Sequence, residues 1–350
     1  MPPRTRQQTP RPIPQRARTF SSSCPWSGAP LSVAVKYQTG CSDPRKTRDF
    51  LRLSGHRWQL QHGQGCRSVT ADCNNTSKGR FAVPFIDLGG HPFFFERLGS
   101  GQRLLFIGGT GGDLRRLETR LFGPLPRHFD LATWDQRGMG QSWKGAPEDT
   151  PFTMADYADD AARLMDALGW DNAHVVGTSF GGMVAQELVL RHATRITKLV
   201  LCCTASGGAG GASFAYHELP AMSPDEMAAL KVRIADTRRD DAWVAAHPGE
   251  YRMLHGFAAA DPYRDEPGHA QGAARQISAR AGHDTWDRLP QIACPTLVMG
   301  GKYDGIAPPE VVTALARRIP GASLRFFEGG HLFMLEDKTA FAAMTDFLAD

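Results

Sequence analysis

The sequence predicts an α/β fold: a mostly parallel central sheet flanked by helices, a helical cap insertion and a disordered N-terminal tail. Three observations carry this. From residue 81 onward, short apolar runs rich in Val, Ile and Leu alternate with helical patterns, the arrangement of a parallel sheet covered on both faces. The strand pattern stops between Ser206 and Leu289, where helical stretches replace it. The composition also splits near residue 80.

Residues 1–80 hold 11 Arg and 3 Lys against 3 acidic residues, a local charge of +11, whereas the remaining 270 residues carry −7. The overall +4 averages two unlike pieces and points to no partner. Pro2, Pro3, Pro10, Pro12 and Pro14 break any early helix, and with so little apolar surface to bury this stretch is not expected to fold by itself. It has no apolar run long enough for a signal-peptide core or a membrane span. The stretch from Arg4 to Ser23 is Arg- and Ser-rich without an acid, a presequence-like composition, but its prolines oppose the amphipathic helix such a signal needs. No interleaved aromatic pattern is present to read nucleic-acid bases. The preferred reading is upstream sequence translated from an early start, with Val83 as a possible alternative start. Cys24, Cys41, Cys66 and Cys73 lack zinc-site spacing. Cys202, Cys203 and Cys294 follow no disulfide pattern, Cys202 and Cys203 are expected as buried thiols, and a reducing, cytoplasmic compartment is expected. The alternative is an organelle, if the tail is native. No metal, cofactor, nucleic acid or membrane partner is expected, only a small-molecule substrate.

The elements follow in order. Residues 84–88 and 92–96 flank Gly89-Gly90, a hairpin signal. Residues 103–107 form a buried strand entering a glycine cluster, and Phe129–Trp134 is another. Thr153 caps a helix with Met154, Tyr157, Ala161, Leu164, Met165 and Leu168 at helical spacing. Strand 174–176 precedes a serine turn, and helix 183–190 follows it. Strands 196–201, 296–299 and 323–327 and a closing helix 338–348 complete the set. These give a tail (1–80), a core in two parts (81–205 and 290–350) and a cap (206–289). Helical stretches 225–236 and 240–247 fall in the cap. Its Phe214, Tyr216, Met222, Trp243, Tyr251, Met253, Phe257 and Tyr263 are expected chiefly to pack cap on core, with some free to line a substrate pocket.

The chemistry is read from the strand ends, where ligands bind in such sheets. Gly177-Thr-Ser179-Phe-Gly181 follows an apolar strand and opens a helix, the nucleophile-elbow arrangement in which glycines permit a very sharp turn. A serine hydroxyl needs a base to take its proton and a third group to fix that base's tautomer. His331 fits the base: it follows the last strand in Glu328-Gly329-Gly330-His331. Asp304 fits the carboxylate, emerging after strand 296–299 in a glycine-rich loop, while the strand ending at Cys202-Cys203 offers no acid. His192, His217 and His283 are assigned surface, cap or structural places. Acyl transfer also needs donors for a developing oxyanion. The Phe180 N–H, next to the serine, is one, and the Thr110 N–H in Gly108-Gly109-Thr110-Gly111-Gly112 is the other. That loop lacks the Lys-[Ser/Thr] of a P-loop and the spacing of a dinucleotide site.

Together with Asp-Gln-Arg-Gly-Met-Gly-Gln-Ser at 135–142, these motifs make residues 81–350 resemble the α/β-hydrolase superfamily along their whole length. Within it the chain is most similar to the small capped enzymes grouped with 3-oxoadipate enol-lactonases and related carboxylesterases. The return from cap to core, Asp284 to Val298, is similar to theirs. The Asp-Gln-Arg-Gly segment also resembles proline iminopeptidases, which usually carry Trp where this chain has Phe180. Gly108 stands where the superfamily often has His. A serine at the elbow, not an aspartate, argues against a haloalkane-dehalogenase or epoxide-hydrolase mechanism.

The expected activity is therefore a serine hydrolase acting on a small carboxylic ester or lactone through an acyl-enzyme. A proline-iminopeptidase-like or carbon–carbon-bond hydrolase would use the same residues, and Glu218, Asp225, Glu226 and Asp261 leave a substrate-amine site open. A non-enzymatic receptor or scaffold on the same fold gains little from a strained serine.

Overall fold

The computed structural model describes residues 85–350, apart from 117–119 and 148–149, together with four short strands nearer the N-terminus. These are β1 (Arg18–Ser23) with β2 (Pro30–Val35) and β3 (Phe50–Ser54) with β4 (Arg57–Gln61), each pair antiparallel. The rest of residues 1–84, with the four cysteines and Val83, lies outside the described residues. The chain divides into two compact units, Met1–Phe81 and Ala82–Asp350.

The second unit is built on an eight-stranded sheet in the order β12-β11-β10-β9-β7-β8-β6-β5. Its strands are β5 (Phe85–Asp87), β6 (Pro92–Leu98), β7 (Gln102–Ile107), β8 (Phe129–Trp134), β9 (Ala173–Thr178), β10 (Ile196–Cys202), β11 (Thr296–Gly301) and β12 (Ser323–Phe327). From β8 to β12 the six strands run parallel, in five neighbouring pairs. β6 lies antiparallel on β8, and β5 antiparallel on β6. The β5–β6 turn uses Gly89 and Gly90 at φ +70° and +89°, and the Asp87 carboxylate accepts from the Gly90 N–H at 2.8 Å. It is the hairpin that the sequence predicts.

Strand alternation sends side chains to two cores. Leu105, Ile107, Val175, Leu199, Leu201 and Val298 face one layer, with α1 (Met154–Ala167), α2 (Phe180–Arg191) and α7 (Pro309–Arg318). Leu104, Phe106, Val176, Val200, Leu297 and Met299 face the other, with α8 (Phe333–Glu336) and α9 (Thr339–Ala349). α1 begins with a reciprocal capping box between Thr153 and Asp156, as the sequence placed its start. Cys202 and Cys203 are buried thiols, as expected. α7 and α8 were not predicted. Their helices are only 10 and 4 residues long, too short for periodicity to separate from a loop.

Between β10 and β11 lie α3 (Pro224–Ala235), α4 (Asp241–Ala246), α5 (Pro248–Ala259) and α6 (His269–Ala281). The eight aromatic and methionine residues named above for the insertion pack less tightly than expected. None is buried, and Met253 and Phe257 are 55% and 57% exposed. α4 and α5 bury no residue at all. What seats this region is polar: α3 and α6 reach the loops at the sheet's carboxyl edge.

Candidate active site

The loop after β7 and the three residues Ser179, Asp304 and His331 all lie at the carboxyl ends of parallel strands. Ser179 directly follows β9 and holds φ +53° and ψ −117°, a backbone region costly to any residue with a Cβ. The turn survives because its flanks have no side chain. A Cβ on Gly177 would sit 2.4 Å from the Gly181 carbonyl oxygen, and one on Gly181 only 2.1 Å from that of Ile107. The Ser179 N–H donates to Cys202 O at 2.8 Å, and the Thr204 hydroxyl donates to Ser179 O at 2.8 Å. The strained residue is thereby held from the neighbouring strand.

Asp304 is 2% exposed. Its Oδ1 accepts the N–H groups of Ile306 at 2.7 Å and Ala307 at 2.9 Å, which leaves Oδ2 to face His331 Nδ1 at 2.8 Å. A carboxylate can only accept, so Nδ1 carries the proton and Nε2 presents its lone pair. Nε2 lies 3.0 Å from Ser179 Oγ, and the serine hydroxyl donates to it. The structure brings the three predicted residues into one hydrogen-bonded chain. Such a chain can pass the serine proton to the imidazole as Oγ attacks an electrophilic carbon, while the buried carboxylate steadies the cation.

Phe180 is the first residue of α2, so its N–H is one of the helix's unpaired first-turn donors. Its ring is buried edge-on against Tyr157, 5.0 Å between centroids. Thr110 is exposed, and among the described residues its N–H has no hydrogen-bond acceptor in the protein. The preceding Gly109 approaches the serine: a Cβ there would lie 3.5 Å from Ser179 Cβ.

Sequence reasoning missed what holds this loop. Gln136 Nε2 donates to Gly108 O at 2.8 Å, and the Gly111 N–H donates to Gln276 Oε1 at 2.8 Å. Both glutamines are buried. The quoted 135–142 segment contained Gln136 without a role for it, and Gln276 carries no sequence signal beyond a helical pattern. Asp135 beside them is pushed up to about 7 by burial, although the N–H groups of Gln141 and Leu114 oppose the shift. Sequence reasoning also missed the end of α3. Its unpaired carbonyls are taken up by the two loops of the site: Ile234 O accepts from the Gly305 N–H at 3.0 Å, and Ala235 O from the His331 N–H at 2.6 Å.

His192 and His217 are partly exposed, with side chains 31% and 43% accessible, whereas His283 is buried. Among the described residues no group of three His, Cys, Asp or Glu is placed to hold a metal ion, and no helix is long and apolar enough to cross a membrane.

A family model described as the alpha/beta hydrolase fold matches residues 102–338. The chain belongs to the α/β-hydrolase family. Among its curated relatives, the putative carbamate hydrolase RutD of Caulobacter sp. (strain K31) is 30% identical over 256 residues, covering 71% of this chain and 91% of that protein. The poly(3-hydroxyalkanoate) depolymerase of Ectopseudomonas oleovorans is 28% identical over 247 residues, 68% of this chain and 81% of that one. Among solved structures, the enol-lactonase of Burkholderia xenovorans LB400 superposes with a TM-score of 0.59 at 24% identity, over 76% of this chain and 100% of that one. The chain is thus an α/β-fold hydrolase, and its resemblance to enol-lactonases extends to the fold.

Proposed function

We propose that this α/β hydrolase is a serine esterase or lactonase acting on a small carboxylic ester. The observation that carries the reading is the Ser179–His331–Asp304 chain, with Oγ 3.0 Å from Nε2 and Nδ1 2.8 Å from a buried carboxylate. In this reading His331 takes the Ser179 proton as Oγ bonds to the acyl carbon. The N–H groups of Phe180 and Thr110 receive the developing oxyanion. Collapse expels the alcohol oxygen, which leaves with the proton from His331 Nε2. Water then loses a proton to the same nitrogen, attacks the acyl-enzyme and releases the acid, restoring Ser179. Asp304 keeps the imidazole tautomer throughout. Residues 206–289 act as the cap that shapes the acyl and leaving-group sites. The motif resemblance to enol-lactonases and carboxylesterases supports an ester or lactone over an amide.

The test is hydrolysis of p-nitrophenyl acetate and of a panel of esters and lactones by the full chain and by Ser179→Ala. The variant is expected to fall to background. Retention of more than a few per cent of the activity would remove Ser179 from the mechanism. Proline p-nitroanilide in the same panel reports whether a peptidase reading does better.

A further inference from the structure

We infer that Gln276, on cap helix α6, is a positioning residue that sets the Thr110 N–H donor, an inference that rests on the serine-hydrolase reading above. The argument starts from peptide planarity. The Thr110 N–H belongs to the peptide plane joining residues 109 and 110. The plane before it is held through Gly108 O by Gln136 Nε2, and the plane after it through the Gly111 N–H by Gln276 Oε1, each at 2.8 Å. The donor thus lies between two fixed planes, one held from the core and one from the cap. The donor's own plane is held through Gly109 O by a longer bond from the Gly112 N–H at 3.3 Å, weaker than the two flanking holds. Without the cap-side hold, the glycines on either side of Thr110 would let its N–H swing.

Gln276 itself has little freedom. It is 0% exposed, and its helix is seated backbone to backbone, since a Cβ on Gly272 would lie 1.8 Å from Gly138 O. One residue before it, Arg275 donates to Pro147 O at 2.5 Å, and one turn after it Arg280 Nε donates to Ser213 Oγ at 3.1 Å. The carboxamide can face the Gly111 N–H only with its oxygen, because the flipped amide would set donor against donor. Among the described residues Nε2 is left buried without a partner. This polar side chain is retained in an otherwise costly place, and the bond it makes there is to the loop.

An oxyanion donor is used only as charge develops, so misaligning it lowers kcat and leaves substrate binding in place. Gln276→Met keeps length without the acceptor, and Gln276→Glu keeps an acceptor toward Gly111. Both are compared with the wild type for kcat and KM on its best ester and for inhibition by an alkyl trifluoromethyl ketone, which adds to Ser179 as a tetrahedral oxyanion. Gln276→Met is expected to lose about 10- to 100-fold in kcat, less than removal of a donor outright. Its KM should stay within about threefold, ketone affinity should fall in parallel with kcat, and Gln276→Glu should restore most of the rate. Unchanged kcat in a folded Gln276→Met, or a loss confined to KM with the ketone still bound tightly, overturns the inference. Should Gln276→Met fail to fold, Gln276→Leu, which also lacks the acceptor, is read by the same outcomes: a parallel loss of about 10-fold or more in kcat and ketone affinity supports the inference, and unchanged kcat overturns it. A wild-type chain inert toward every ester and lactone would refute the esterase reading instead, and that is seen before any variant is made.

Discussion

His331 Nδ1 and Asp304 Oδ2 stand 2.8 Å apart, while the other oxygen of the same carboxylate is committed to the N–H groups of Ile306 and Ala307. That division of acceptors predicts how Asp304→Asn behaves. The new carboxamide will keep its oxygen toward the two backbone donors, which places NH2 against Nδ1. The imidazole must then carry its proton on Nε2 and face Ser179 with a donor. The fold should survive, because both backbone bonds do, while ester hydrolysis falls about 10⁴-fold in kcat. Steady-state kinetics together with a thermal melt check this. A folded variant within 10-fold of wild type would mean that the tautomer is set by something else.

A second expectation concerns the tether between the end of α3 and the His331 loop. The His331 N–H donates to Ala235 O at 2.6 Å, and a Cβ on Gly330 would lie 1.9 Å from that same oxygen and 2.8 Å from Asp236 Cα. Gly330→Ala must therefore separate the end of α3 from the His331 loop. The expected cost is about 1–3 kcal/mol of stability, and a shift of the imidazole by about an ångström should lower kcat about 10²-fold. Urea unfolding and ester kinetics on the same preparation separate the two effects. Lost stability with full activity would show that His331 does not depend on the cap for its place.

These two tethers mark where the sequence was legible and where it was not. Ser179, Asp304 and His331 could be placed in advance because each directly follows an apolar strand and sits among glycines, a local pattern. The mostly parallel character of the sheet follows from the same alternation. The braces are different in kind. The Gly111–Gln276 bond joins residues 165 apart in the chain, and Ala235 contributes a carbonyl that every residue type possesses. Neither leaves a trace in residue spacing. The aromatics of the insertion misled for a related reason: hydrophobicity suggested burial, but α5 packs on α3 without burying a residue, and Phe257 remains 57% exposed.

The last prediction sets two buried groups against each other over one pH window. Burial pulls His283 down to about 4, and among the described residues its Nε2 has no partner. A histidine with a depressed folded pKa contributes stability above its ordinary value near 6.5, lost as pH falls toward 4. Burial pushes Asp135 the other way, up to about 7. A carboxyl with a raised folded pKa is bound to its proton in the native state first, so it favours the fold increasingly as pH falls from 7 toward 4. Between pH 7 and pH 5 the histidine should cost about 2 kcal/mol and the aspartic acid should return about 2 kcal/mol. His174, also lowered by burial, adds to the histidine side. The wild type is therefore expected to change little across this interval. His283→Leu removes one side of the balance, and Ala205 O keeps the Gln186 amide as a donor at 3.1 Å. The variant should become more stable at pH 5 than at pH 7 by about 2 kcal/mol. Urea midpoints at the two pH values, taken for both proteins, measure the difference directly. A variant whose profile stays as flat as the wild type's would show that the buried, neutral His283 is not what opposes Asp135.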